Sequence, residues 1–438
     1  MGVIRGCQPS IRYPVRRKVS RTKRFRLVAE PYRPDMTVLS PGARAQAEAR
    51  PDRPSVVELR LTAFAAHRRA GFPLGPLSLF AGPSGSGKSS ALRAYEALAR
   101  LGGGAELDEV FPDPVACVPE RARPDAQRRR GFRIGCTADG PEGPVRLDVA
   151  VQAEPELRIV GERLTAGGLT LLETALRDPS RRCVQAAWHT AGSSPVTRAP
   201  LPDDRLGTPL LPLRVAGKTD GQRQVLAAAE QMVVALRSVF ACDPLPRSMR
   251  AAVPLGAGRL LRGCGNLAEV LWRTRAECGR RHGLLVDALR AGCAGPVRDL
   301  LAERQPGEVG RIGGVGRIGG IGGIDGTVQA LLDRGDGLRT PLGRLGDGEL
   351  RYLALSLVLL TGPGVLEVDT AGEVPAALQT LTVLADGFDR DLDVRQREGL
   401  VRLAARMCER GHIRLVGAVS DASWAAGVGG VTVVDLEP

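Results

Sequence analysis

Gly82-Pro83-Ser84-Gly85-Ser86-Gly87-Lys88-Ser89 satisfies the pattern G-x-x-x-x-G-K-[ST] at every required position. Its flanks follow the order that pattern needs. Leu77, Leu79 and Phe80 form a short apolar run read as a buried strand, and Ser90 to Leu101 reads as a helix stopped by Gly102-Gly103-Gly104. A glycine-rich turn between such a strand and helix lets successive N–H groups point inward at the positive end of the helix dipole, where phosphates bind. On this reading Gly82, Pro83, Ser84, Gly85, Ser86, Gly87, Lys88, Ser89 and Ser90 cradle a nucleotide. Lys88 reaches the β and γ phosphates, and Ser89 holds Mg²⁺. Lysine usage agrees: only four of the 61 Lys/Arg residues are lysine, so a lysine in this loop answers a chemical need.

Length and composition bound the rest. A chain of 438 residues can bury a substantial core and forms one large domain with an insertion, or two domains. The longest apolar run, near Leu353 to Leu360, is interrupted by Ser356 and is too short to cross a bilayer. Arg5, Arg12, Arg16 and Arg17 come without the apolar stretch of a secretory signal. The nine cysteines include no C-x-x-C pair and the four histidines are far apart, which indicates neither a disulfide framework nor a zinc site and makes reducing cytoplasm the expected location. Residues 1 to 34 carry ten Lys/Arg against Glu30 alone, and the Pro/Arg/Ala-rich sequence to residue 54 continues this disordered tail. It reads either as an arm for nucleic acid or another acidic partner, or as an incidental extension with the true start at Met36.

Further along, Val56 to Leu61 alternates as a strand and a second run spans Leu74 to Phe80. Ala105 to Arg130 is a Pro/Arg/Asp-rich connection. Alternation returns at Phe132/Ile134/Cys136, at Val145/Leu147/Val149/Val151 and at Leu157/Ile159/Leu164, with turns at Asp139-Gly140 and Glu154-Pro155-Glu156, so an antiparallel meander is expected. The signal weakens from Thr170 to Pro212. Thr219-Asp220-Gly221-Gln222 opens a helix through about Ser238, and two or three helical stretches follow between Asn266 and Arg304. The repeat Val309-Gly310-Arg311-Ile312-Gly313-Gly314, echoed at 315–320, reads as a low-complexity surface loop within 307–326.

A second informative stretch, Leu345-Gly346-Asp347-Gly348-Glu349-Leu350-Arg351, opens an apolar helix that Gly362-Pro363-Gly364 stops. Val365-Leu366-Glu367-Val368-Asp369 then reads as a buried strand ending in a carboxylate, which would hold Mg²⁺ opposite Ser89. A glycine-bearing turn before an apolar helix, with a strand-terminal Asp 21 residues after Gly348, resembles the signature motif and Walker B segment of ABC-type ATPases. The closest resemblance is to the RecF/SMC/OLD-like branch and its stand-alone predicted ATPases, whose signature reads L-S-D-G-x-L-R. Arg247-Ser248-Met249-Arg250 and Gly265-Asn266-Leu267-Ala268 also resemble that subgroup, and the resemblance spans about 55 to 436.

The resemblance implies an ATP-dependent homodimer in which ATP and Mg²⁺ lie between the P-loop of one subunit and Gly346, Asp347 and Gly348 of the other. The helix start at those residues would offer N–H groups to the partner's γ-phosphate. DNA and an effector chain that would supply any mechanical or nuclease output are candidate further partners, and the short apolar runs imply no membrane. Three positions depart from the family pattern: the signature serine is Gly346, the residue after Asp369 is Thr370 where the family has a catalytic Glu, and Ala418-Val419-Ser420-Asp421 stands where the family has a switch histidine. Thr370 cannot act as a carboxylate base, so Glu373 and Asp421 are the candidate substitutes. The family's glutamine near the γ-phosphate has two candidates, Gln127 and Gln152. The alternative function is an ATP-binding switch or nucleic-acid-associated structural protein with little hydrolysis.

Asp369-Thr370-Ala371-Gly372 also spells the D-x-x-G of GTPases, and Gly217-Lys218-Thr219-Asp220 is one residue from N-K-x-D, but the two occur in the wrong order. A small-molecule kinase lacks any substrate motif here. The expected fold is an α/β P-loop NTPase core of ABC/RecF type with an antiparallel β-meander and a helical insertion. Its parts are a tail at 1–54, an N-terminal lobe at 55–165, a mostly helical insertion at 166–340 and a C-terminal lobe at 341–438. The last lobe should end in a helix from about Arg395 to Arg410 and strands near Ile413 to Val416 and Val431 to Val434.

Overall fold

A computed structural model describes residues 53–191, 195–256, 258–305, 326–368, 375 and 378–437, all within one compact unit. Nearly all of the basic tail, the glycine repeat, and Asp369, Thr370 and Glu373 lie outside the described residues.

Alternating apolar residues build the first layer. β1 (Ser55–Phe64) and β2 (His67–Pro73) form a hairpin, and the chain then runs through β3 (Leu77–Ala81) and helix α1 (Lys88–Gly102). β4 (Arg130–Asp139), β5 (Val145–Glu154), β6 (Arg158–Ala166), β7 (Leu169–Ala175), β8 (Cys183–His189) and β9 (Val196–Pro202) complete an eight-stranded antiparallel sheet in the order β2-β1-β4-β5-β6-β7-β8-β9. The register aligns Leu61 with Ile134 and Ile134 with Val149, so one face is apolar and packs on α1 and on α2 (Asp220–Arg237).

The second layer is a parallel sheet. β10 (Val239–Cys242) follows α2. The short strands β11 (Val253–Pro254), β12 (Asp299–Gln305), β13 (Thr327–Asp333) and β14 (Arg339–Pro341) form a small separate sheet beside helices α3 (Leu267–Glu277) and α4 (Gly279–Gly292). After α5 (Asp347–Leu360), strands β15 (Leu381–Ala385), β16 (Ile413–Val419) and β17 (Val431–Asp435) join β10 and β3 in the order β10-β15-β16-β3-β17, with α6 (Val394–Cys408) between β15 and β16. All its pairings are parallel. As a parallel sheet requires, both faces are covered. Leu77 and Leu79 belong to the core shared with α3 to α6, whereas Phe80, Leu384 and Val416 belong to the core shared with α1 and the antiparallel sheet.

The chain is thus a mixed α/β structure with one parallel and two antiparallel sheets, and its α/β class and antiparallel meander are as the sequence predicts. Two expectations differ. The stretch from Thr170 to Pro212, where alternation faded, holds β8, β9 and most of β7, so the segment 166–340 is mixed rather than mainly helical. These strands place small or half-exposed residues such as Ala186, Ala187 and Ala199 where a stronger signal would need large apolar ones. Val365 to Val368 is not a strand of the parallel sheet: Leu366 makes only an isolated bridge to Leu260. The strand that occupies that place is β15, in which all five residues are buried.

Candidate nucleotide site

The loop at Gly82 to Ser89 leaves the C-terminal end of β3 and enters α1, as the motif requires. Gly82 (φ 147°) and Gly87 (φ 97°) adopt positive φ that side chains resist. A Cβ on Gly82 would stand 2.3 Å from the Leu436 carbonyl oxygen, and one on Gly87 would stand 2.6 Å from His67 Nε2. His67, at the start of β2, is itself buried and lies 3.0 Å from the Gly87 carbonyl oxygen through Nε2. Lys88 folds back so that Nζ donates to the carbonyls of Gly82 (2.6 Å) and Pro83 (2.8 Å). The ammonium therefore rests on the loop that would receive phosphate.

Ser89 Oγ donates to Asp386 Oδ1 at 3.1 Å. Asp386 follows β15 directly, and β16 separates β15 from the P-loop strand β3. Because β15 and β3 end on the same edge of the parallel sheet, a hydroxyl and a carboxylate 297 residues apart in sequence come to one point. They border a cavity of about 460 Å³ that Lys88, Asp389, Arg390 and Ser420 also line. Asp386 is a site residue that the sequence pattern does not single out, although Leu381-Thr382-Val383-Leu384-Ala385-Asp386 carries the same signal as 365–369, an apolar run ended by Asp.

The other expected residues separate into groups. Gly82, Ser84, Gly85, Gly87, Lys88, Ser89 and Ser90 line the cavity; Gly346, Asp347 and Gly348 do not. Those three open α5: Gly346 is extended (φ −63°, ψ 156°), its N–H donates to Glu349 Oε2 at 3.2 Å, and Gly346 and Asp347 are exposed. Arg250 fixes this turn by donating to the carbonyls of Gly343 and Leu345, both at 2.7 Å, and by pairing with Asp347. Asp421 is exposed and accepts from the N–H (3.0 Å) and hydroxyl of Ser423, which hold its carboxyl below the usual range. It does not line the cavity. Gln152 is spent on the Glu156 carbonyl (3.0 Å), and neither it nor Gln127 reaches the cavity. Lys218 and Thr219 cap α2: Thr219 Oγ1 accepts from Gln222 N at 3.2 Å, and Lys218 N donates to Gln222 Oε1 at 2.9 Å.

Arg351 links the turn of α5 to the cavity. Its side chain is buried, donating from Nη1 to Pro244 O (2.6 Å) and from Nη2 to Gly387 O (2.9 Å), with Asp243 Oδ1 at 3.5 Å. Gly387 is the residue after Asp386, so α5 and the loop bearing the carboxylate are held by one guanidinium.

Hard oxygen donors at Ser89 and Asp386 suit Mg²⁺, which is commonly held by one or two protein oxygens together with phosphate and water. No group of three or more His, Cys, Asp or Glu side chains among the described residues forms a separate metal cluster. No helix among the described residues is long and apolar enough to cross a membrane.

No protein-family model and no curated protein matches the chain. Similar solved structures include an SMC head bound to the C-winged helix domain of ScpA, with a TM-score of 0.44 at 11% identity, covering 85% of this chain and 92% of the other. The SMC head domain from Thermotoga maritima gives 0.38 at 11%, with coverages of 84% and 89%. An SMC head with an extended coiled coil, bound to the C-terminal domain of ScpA from Pyrococcus furiosus, gives 0.40 at 11%, with 88% and 94%.

Proposed function

We propose that the chain binds ATP with Mg²⁺ at the Gly82–Ser89 loop and hydrolyses it. The observation that carries this reading is the 3.1 Å approach of Ser89 to Asp386 at the mouth of the phosphate loop, with Lys88 beside it. Lys88 would leave the carbonyls of Gly82 and Pro83 for the triphosphate, while the loop N–H groups and the start of α1 stabilise its charge. Mg²⁺ bound by Ser89 and Asp386 would neutralise charge on the β- and γ-phosphate oxygens. ATP is favoured over GTP because Gly217 to Asp220, the segment nearest a guanine-reading motif, is occupied in capping α2 and does not line the cavity.

Gly346 and Asp347 are exposed and, with the half-buried Gly348, do not line the chain's own cavity, which suits a role toward the triphosphate of a second copy in an ATP-dependent homodimer. The ten Lys/Arg among the first 34 residues would suit a polyanion such as DNA, and a mechanical output would come from an effector chain. A location in reducing cytoplasm rests on the cysteine pattern, nine residues with no C-x-x-C pair. A second reading, an ATP-gated switch that hardly hydrolyses, draws on one observation: Gly387 follows Asp386, so the position next to the metal carboxylate has no base.

ATP affinity measured by calorimetry with Mg²⁺, on wild type and Lys88→Ala, tests the central claim. Loss of charge-assisted bonds worth about 1.5–3 kcal/mol should weaken binding roughly 10- to 150-fold. Equal affinity in the two proteins would refute the site.

A further inference from the structure

Gly387 leaves the position after Asp386 without a side chain, yet a second carboxylate reaches the same cavity. Beyond β15 the chain turns back over the sheet: Gly387 has φ 60°, Phe388 N donates to Ala418 O at 2.8 Å, and Arg390 N donates to Gly387 O at 3.0 Å. The bond to Ala418 lays this turn across the C-terminal end of β16, the strand between β15 and the P-loop strand. Asp389 is therefore delivered to the wall of the cavity with only 4% of its surface exposed.

Its partner is Ser420, the first residue after β16, which also lines the cavity. Ser420 N donates to Asp389 Oδ2 at 3.0 Å and Ser420 Oγ donates to the same oxygen at 2.6 Å. Both bonds fall on Oδ2, and no described donor reaches Oδ1. A carboxylate held by two donors through one oxygen is oriented and keeps the other oxygen available to accept a proton. The two carboxylates of the cavity thus have different partners: Asp386 is on the Ser89 hydroxyl, and Asp389 is held by Ser420 away from it.

We propose that Asp389 is the proton acceptor for the water that attacks the γ-phosphate and that Ser420 is its positioning residue; this rests on the nucleotide reading above. The water oxygen forms a bond to the γ-phosphorus while its proton passes to Asp389 Oδ1. The bond from that phosphorus to the β,γ-bridging oxygen breaks, and its electron pair leaves with ADP. Asp389 then returns the proton to the released phosphate, and no electron is transferred between redox states. Asp421, one residue beyond Ser420, does not substitute, because its carboxylate is turned to Ser423 outside the cavity.

The test measures ATP affinity and single-turnover hydrolysis separately, with Mg²⁺, on wild type, Asp389→Asn, Asp389→Ala and Ser420→Ala, each checked for folding by thermal melting. Wild type should bind and hydrolyse. Asp389→Asn should bind ATP within about threefold of wild type and hydrolyse it roughly 10²- to 10⁴-fold more slowly, the usual effect of losing a general base. Added formate should restore at least about tenfold to Asp389→Ala by supplying a small carboxylate in the vacated space. Ser420→Ala, which retains the base, should slow turnover about tenfold with binding intact, and it keeps the proposal testable if the Asp389 variants do not fold. Hydrolysis by Asp389→Asn at the wild-type rate, a wild type that binds without hydrolysing, no rescue by formate, or an unchanged rate in Ser420→Ala would each overturn the proposal. Failure of wild type to bind ATP would instead remove the nucleotide reading beneath it.

Discussion

Two carboxylates compete for the role opposite Ser89, and substituting each separates them. A cation held by the Ser89 hydroxyl at about 2.1 Å would lie no further than about 5.2 Å from Asp386 Oδ1, because hydroxyl and carboxylate are 3.1 Å apart. At about 5 Å, a divalent cation and a unit charge attract by about 1.7 kcal/mol even at bulk-water screening and by about 7 kcal/mol at an effective dielectric near 20. Asp386→Asn keeps the shape and removes the charge, so Mg²⁺-dependent ATP affinity should fall by at least about 15-fold while affinity without Mg²⁺ changes little. Asp369→Asn is the control that the sequence alone would have selected as the lesion. Titrating ATP with and without Mg²⁺ on both variants decides the matter. If Asp386→Asn retains the full Mg²⁺ effect and Asp369→Asn loses it, the assignment of the carboxylate from the Ser89 contact is wrong.

Two further outcomes follow from buried contacts. Arg158 and Asp203 have side chains 3% and 1% exposed, and Arg158 Nε donates to Asp203 Oδ2 at 2.7 Å. Asp203→Ala removes the buried counter-charge of that guanidinium, which keeps the carbonyls of Pro179 and Arg181 and the exposed Glu156, and should cost about 3–5 kcal/mol in chemical denaturation, whereas Arg158→Met combined with Asp203→Leu should recover most of it; a loss below about 1 kcal/mol in the single variant would contradict the burial argument. Gly348→Asp, at the start of α5, places its Cβ 2.2 Å from the Asp391 carbonyl oxygen. It should lower the melting temperature of the protein itself, and an unchanged melting curve would show that the turn before α6 yields freely.

The local elements were legible wherever one stretch of chain contains the whole cause. Gly82 to Ser89 needs only its glycines, its lysine and its flanking apolar runs, and the structure puts it between β3 and α1. The meander at Phe132 to Leu164 was legible because a period of two in large apolar residues admits one half-buried arrangement. The helix at Val394–Cys408 was legible for the corresponding reason, with Asp393 accepting from Gln396 N as its cap. Where the side chains are small, as in β8 and β9, the same pattern lost its contrast.

Which carboxylate meets Ser89 was a different kind of question. Val365 to Asp369 and Leu381 to Asp386 are both apolar runs ending in aspartate, and nothing local ranks one above the other. The ranking comes from strand order: pairing with β10 on one side and β16 on the other sets β15 one strand from β3 and brings its end beside the P-loop. Asp389 and Ser420 likewise meet only because the turn after β15 crosses the end of β16. The sequence by itself determined the glycine-rich turn at Gly82 to Ser89 and the strand and helix on either side of it, since the cause of that turn lies within its own short stretch of chain. The tertiary structure decided which distant carboxylates face the loop, because order within a parallel sheet depends on long-range packing that no short window of sequence encodes.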